Sequence, residues 1–193
     1  MSDAAAQRRA RQTVINLGLS LAATLGIVLA LVLIVPRDDS NRIQPVDYKD
    51  IAAGAVETTS LPLIVPELPS TGWWSNSAKI KTSPTDGTDA SWSAGFVGPK
   101  NQYIGLTQAF GINPTWLAFQ LKNSAKTGTQ AVGNYTWDIY EATEPSDPPK
   151  TKDFMMVLNY NDHDTALIYG VAKPQDFVEI ATAIQVKLME RTK

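Results

Sequence analysis

Hydrophobic residues fall into two regimes along this chain. From Thr13 to Val35 they run with no charge between them, and beyond Pro36 they return only in short alternating or helix-spaced stretches. The first block has 23 residues, fourteen of them Leu, Ile or Val. As a helix it spans roughly 35 Å, more than the roughly 30 Å of bilayer hydrocarbon. A cleaved signal peptide has an apolar region of about 7–15 residues ending in a small-x-small site. Here the run is longer and ends in Leu33-Ile34-Val35-Pro36-Arg37, which predicts an uncleaved transmembrane helix over 13–35. Within it, Gly18, Ala22, Gly26 and Ala30 recur at four-residue intervals. Small residues at that spacing let a second helix approach closely, and the nearby Asn16, Ser20 and Thr24 offer interhelical hydrogen bonds. These seven residues are the expected contact with a partner helix.

The outer part reads as mixed structure. Residues 36–46 are polar, carry two prolines and predict a linker. Asp47 predicts the cap of a short helix through about Thr58, with Ile51, Ala52, Ala55 and Val56 on one face. Three prolines between Leu61 and Pro69 impose an extended path. Alternation predicts strands at Trp73–Lys81, around Trp92–Phe96, at Tyr103–Phe110 and at Tyr135–Glu141, and a hairpin of Phe154–Tyr160 with Thr165–Ala172. Asn113-Pro114 opens a helix through Asn123, and Lys126-Thr127-Gly128 closes that section. Thr143–Asp153 reads as a solvated loop. A final helix from Pro174 places Phe177, Ile180, Ala181, Ile184 and Leu188 on one face. About five strands joined as hairpins give an α+β domain over 47–193, with a mostly antiparallel sheet and helices covering one face.

Charge adds an orientation. Arg8, Arg9 and Arg11 precede the span against Asp3 alone, while Arg37, Asp38 and Asp39 follow it. The basic flank stays inside, so residues 1–12 are expected in the cytoplasm and the C-terminal domain outside the plasma membrane. The chain has 17 Lys+Arg against 19 Asp+Glu, a net of −2, which excludes a generally basic nucleic-acid binder. With no cysteine and one histidine, disulfide scaffolds, thiolate metal sites and His clusters are also excluded.

Candidate chemistry is thin. His163 is the sole imidazole, and it sits in Asn161-Asp162-His163-Asp164, a turn expected to face solvent. Asn159, Asn161, Asp162 and Asp164 offer oxygens to a calcium ion, but the EF-hand spacing fails, with no glycine at the sixth position and Gly170 at the twelfth. Asp86 and Asp89 pair two carboxylates in a polar turn rather than a buried site. No catalytic residue, metal ligand or cofactor site is expected. Of the five tryptophans, Trp92 and Trp137 alternate correctly for a core face. Adjacent Trp73 and Trp74 must point to opposite sides of a strand, so one of them is the expected exposed contact of the outer domain.

Four stretches carry a likeness to a known family. They are the anchor ending in Pro36-Arg37 with Val46-Asp47-Tyr48, then Val65-Pro66-Glu67-Leu68-Pro69-Ser70-Thr71-Gly72-Trp73. After these come Trp92–Phe96 through Gln102–Gln108, and Gly133–Trp137 with Tyr169-Gly170-Val171-Ala172 and the last helix. In this order they resemble the actinobacterial family catalogued as domain of unknown function 4245. The resemblance implies a single-pass envelope protein of a high-GC Gram-positive bacterium, and no known activity. The hairpins and closing helix also resemble the Mog1/PsbP-like architecture. The expected function is a non-catalytic, membrane-anchored accessory or assembly subunit of a respiratory or transport complex, partnered by other integral membrane proteins. The alternative is an extracytoplasmic binding module for a lipid, glycan or small ligand.

Overall fold

The computed structural model describes residues 3–34, 44–69, 72–82 and 88–191. The chain divides into two units, residues 1–42 and 43–193. Among its described residues the first is one unbroken helix, α1 (Asp3–Ile34). It contains the run Gln7–Ile34, long and apolar enough to cross a membrane, and every residue of that run is exposed. The helix starts well before the apolar block, so the three arginines of the N-terminal tail are helical too. Val35 and most of the expected linker lie outside the described residues.

The second unit is α+β. Its elements are α2 (Tyr48–Thr59), β1 (Trp74–Lys81), β2 (Ala90–Val97), β3 (Tyr103–Phe110), α3 (Pro114–Gln120), β4 (Ser124–Val132), β5 (Tyr135–Ala142), β6 (Phe154–Asn159), β7 (Thr165–Val171) and α4 (Pro174–Arg191). One antiparallel sheet holds all seven strands in the order β1-β2-β3-β7-β6-β5-β4. Two meanders, β1–β3 and β4–β6, are thus joined through β7.

The sheet has seven strands where the pattern predicts about five. Six of them fall on stretches that alternation marks, and the seventh is β4, where Lys126-Thr127-Gly128 is expected to close a helical section. It is an edge strand with Val132 as its one buried residue and a bulge between Lys126 and Gly128. A strand with no buried face leaves no alternation to read. Helix α3 also stops at Gln120, short of Asn123, because Asn123 has a left-handed backbone with φ 65°.

Side-chain alternation divides the core in two. Trp92, Phe96, Ile104, Leu106, Met156 and Ile168 face α2 and α4. Met155, Val157 and Leu167 face the other way, against Leu117 and Leu121 around α3. Helices therefore cover both faces rather than one. The apolar stripe of α4 is buried as its periodicity predicts: Phe177, Ile180, Ala181, Ile184 and Leu188. Each large side chain there contributes at most about 1.5–3 kcal/mol. Helix α2 differs from expectation. Asp47 caps it as predicted, accepting from the Lys49 and Asp50 amides, but the buried residues are Tyr48, Ala52 and Ala55. Ile51 and Val56 are exposed. The two alanines let the helix lie close to the sheet, and Tyr48 meets Phe96 edge-on at 5.3 Å.

The extended segment after α2 is bound to the sheet by polar groups. Gln108, fully buried on β3, accepts from the Ile64 amide at 2.7 Å and donates to the Pro62 carbonyl at 3.1 Å. The same amide donates to the Tyr160 hydroxyl at 2.8 Å. Tyr48 donates to the Pro66 carbonyl at 2.7 Å, and Arg191 donates to the Leu63 carbonyl. The prolines forbid a regular ladder here, so side chains satisfy the buried backbone instead.

Candidate functional site

At the end of the sheet where β1 starts and β7 finishes, four stretches of chain converge around a cleft of about 870 Å³. One wall is Trp73 with the β2–β3 turn at Pro99–Gln102. The start of α4 contributes Lys173, Asp176 and Glu179. The floor is Phe154, Gly170 and Ala172, and the loop between β5 and β6 closes the fourth side with Pro145 and Pro149.

Each wall is locally ordered. In the β2–β3 turn, Gln102 accepts from the Lys100 amide through its side chain at 2.8 Å and from the Gly98 amide through its carbonyl at 2.8 Å. In the β5–β6 loop, the Asp153 carboxylate accepts from the Ser146 and Lys150 amides at 3.0 and 2.9 Å. These backbone donors hold its pKa below the ordinary value. At α4, Asp176 reaches back to accept from the Lys173 amide at 2.9 Å, the return half of a capping box. Phe154 is fixed edge-on against Phe177, with centroids 4.6 Å apart.

Trp73 precedes β1, which begins at Trp74. Both tryptophans are half-buried. Trp73 lines the cleft and packs against the core, and both Trp73 and Trp74 line a second, shallower notch with Pro45, Asp47 and Lys49. Trp92, Trp116 and Trp137 are buried. The indole N–H groups of Trp92 and Trp137 have no hydrogen-bond partner among the described residues.

The other candidates sort as follows. Gly18, Ala22, Gly26 and Ala30 lie on the unbroken α1, together with Asn16, Ser20 and Thr24, and all seven are exposed. A Cβ added at Gly18 or Gly26 would meet open space. The Thr24 hydroxyl donates back to the Ser20 carbonyl at 2.9 Å, the i−4 bond that Ser and Thr side chains make within helices. His163 is exposed in its turn. Asn161 accepts from the amides of His163 and Asp164 through its side chain, at 2.8 and 2.6 Å. Asp164 accepts from the Gly111 amide at 3.1 Å and from the Asn161 side chain at 2.8 Å, so it orders the turn. The Thr165 hydroxyl donates to the Asn159 side chain. Among the described residues no group of three or more His, Asp or Glu side chains is placed to hold a metal ion. Asp89 is exposed, and Asp86 lies outside the described residues.

The cleft was not visible in the sequence. Its residues come from a turn, a loop read only as solvated, and a helix start, and Trp73 is the single member that composition singled out.

The family model described as "Protein of unknown function (DUF4245)" matches residues 9–184. No curated protein and no solved structure gives a significant match.

Proposed function

The chain belongs to the DUF4245 family, and we propose that it serves as a membrane-anchored, non-catalytic accessory or assembly subunit of a cell-envelope membrane complex, respiratory or transport. In this reading it is a single-pass actinobacterial protein with residues 1–12 in the cytoplasm and its C-terminal domain outside the plasma membrane. The three N-terminal arginines support that orientation.

One observation carries the reading. Because α1 runs without a break from Asp3 to Ile34, the four small residues share one slowly winding groove along it. Residues four apart advance by about 40° around a helix, and grooves of this kind suit right-handed crossings with a second helix. The test is co-purification of the full chain from mild detergent with other membrane proteins in fixed ratio. Gly26→Leu should reduce that recovery while leaving membrane insertion intact, and Leu29→Ile should not. Equal recovery of both variants and wild type would overturn the role given to the groove.

A second reading, an extracytoplasmic binding module, is favoured by the cleft, whose size lies in the range of small-molecule sites, roughly 300–1,000 Å³. A module of this kind purifies alone and gains thermal stability on adding its ligand.

A further inference from the structure

We infer that the outer edge of β4 is a docking site for the same edge of a second copy of this chain, Thr129 of each strand lying opposite Ala131 of the other. This goes beyond the accessory-subunit reading and does not depend on which complex the chain serves. The sheet ends in two edges, β1 and β4, and they are built differently. At β1 the chain entering α2 pairs with the strand from outside, the Val46 amide donating to the Ser75 carbonyl at 2.8 Å. A bulge follows between Ser75 and Ser77, and after it come Lys79 and Lys81. Covering chain, bulges and lysines all keep a foreign strand off an edge. β4 carries one bulge and one lysine, and neither lies beyond Gly128. The lysine is neutralised, because Lys126 pairs with Asp138 on β5 at 2.7 Å. From Thr127 to Val132 the strand has no charge and no proline.

The phase of the hydrogen bonds identifies the free groups. β4 and β5 meet at the two-residue turn Gly133-Asn134, with Val132 opposite Tyr135 and Gly133 at φ 54°. Residues flanking such a turn exchange hydrogen bonds, and the pattern alternates along the ladder. Val132 and Gln130 therefore bond to β5, while Thr129 and Ala131 turn their N–H and C=O groups outward. The Gln130 side-chain amide donates to the Ala131 carbonyl at 2.9 Å, capping a group that faces no strand. A second β4 running antiparallel matches this edge. With Gln130 on the two-fold axis, Thr129 meets Ala131 and each pair exchanges bonds in both directions. Gly128 meets Val132, and no charge opposes a charge. The contact closes at two copies, since it consumes both free edges and the protected β1 edge starts no further growth. Two copies anchored in one membrane meet at a raised effective concentration, which compensates for a short ladder.

The chain has no cysteine, so one introduced thiol reports on one contact. In the proposed pairing the two Gln130 positions form a non-hydrogen-bonded pair with Cα atoms about 4.5 Å apart, within the span of a disulfide. The experiment reconstitutes the full-length Gln130→Cys variant alone in phosphatidylcholine vesicles and oxidises it mildly. Disulfide-linked dimer should exceed that of Lys79→Cys, exposed on the protected edge, by at least about five-fold. Adding Thr129→Lys and Ala131→Lys to Gln130→Cys sets lysines against each other across the axis and should reduce the dimer by a similar factor. Both added lysines stand at exposed positions, and an unchanged thermal midpoint by circular dichroism shows that the fold survives them. Equal cross-linking at positions 130 and 79, or cross-linking that persists with the lysines in place, would overturn the proposal. So would a Gln130→Cys chain that stays monomeric in these vesicles, which would leave the edge to a strand of another protein.

Discussion

The side-chain amide of Gln108 bonds to the chain on both sides of Leu63, accepting from the Ile64 N–H and donating to the Pro62 carbonyl. It stands where the peptide of a neighbouring strand would stand. A proline-interrupted segment is thereby held on the sheet without being part of it. Gln108→Leu keeps the volume and strands both backbone groups, of which the Ile64 amide is fully buried. Each unsatisfied group costs about 1–3 kcal/mol. The expected loss is about 2–4 kcal/mol, or roughly 5–15 °C in Tm. Thermal unfolding by circular dichroism would measure it, and faster hydrogen exchange confined to residues 61–66 would locate it.

Alkaline pH should destabilise the outer unit in a defined window. Burial pushes the hydroxyls of Tyr103 and Tyr160 up to about 12, with Tyr169 adding to the effect at Tyr103. In the unfolded chain both ionise near pH 10. Between pH 10 and 12 the folded state therefore holds more protons, and stability falls as pH rises through that interval. Below pH 10 their contribution is complete and does not vary with pH. Ultraviolet titration of the folded protein should show two tyrosines ionising late, and a denaturation midpoint constant from pH 7 to 9.5 but falling above 10. A midpoint flat to pH 12 would contradict their burial.

Two glycines offer a matched comparison. A Cβ at Gly170 would sit 1.9 Å from the Tyr103 carbonyl oxygen on the adjacent strand, whereas at Gly128 it would meet nothing within 4 Å. Gly170→Ala forces β3 and β7 apart at the centre of the sheet. Its expected cost is at least about 3 kcal/mol, at the diagnostic end of single-substitution effects. Gly128→Ala on the edge strand should change stability by less than about 0.5 kcal/mol. Urea unfolding of the two variants decides the matter.

Asp153→Ala should free the loop over the cleft without unfolding the domain. The carboxylate is the shared acceptor of two loop amides, and it is exposed enough that the core does not depend on it. Trypsin should cut faster after Lys150 and Lys152 in the variant, with Tm nearly unchanged. In wild type the same loosening should appear only in acid. The Asp153 pKa lies below the ordinary value, so its contribution is complete at neutral pH and is lost as pH falls below about 4.

What could be read in advance depended on how strongly burial writes a period into the chain. The α4 stripe from Phe177 to Leu188 is fully buried along one side, and its five residues were recoverable from spacing alone. The β2 residues Trp92 and Phe96 alternate for the same reason. Ile51 and Val56 are apolar yet exposed, while Ala52 and Ala55, the residues small enough to touch the sheet, set the packing face. β4 was invisible because it buries almost nothing. The cleft was illegible for a different reason. Trp73, Lys100, Lys150 and Lys173 come to line one cleft only through the strand order that sets β7 between β3 and β6, and no local pattern encodes that order.

That strand order also dictates a sequence of assembly. β7 is the last strand to be made, yet it is the seam between the two meanders. As the chain emerges from N- to C-terminus, β1–β3 can pair, and later β4–β6, but each half keeps one long unsatisfied edge until residues 165–171 arrive. Such open edges are the surfaces through which nascent chains associate wrongly. The domain thus waits about 55 residues, from the end of β3 to the start of β7, before its sheet can close. A chain halted anywhere in that interval has no route to the native core, and a chaperone acting on this protein has its task there.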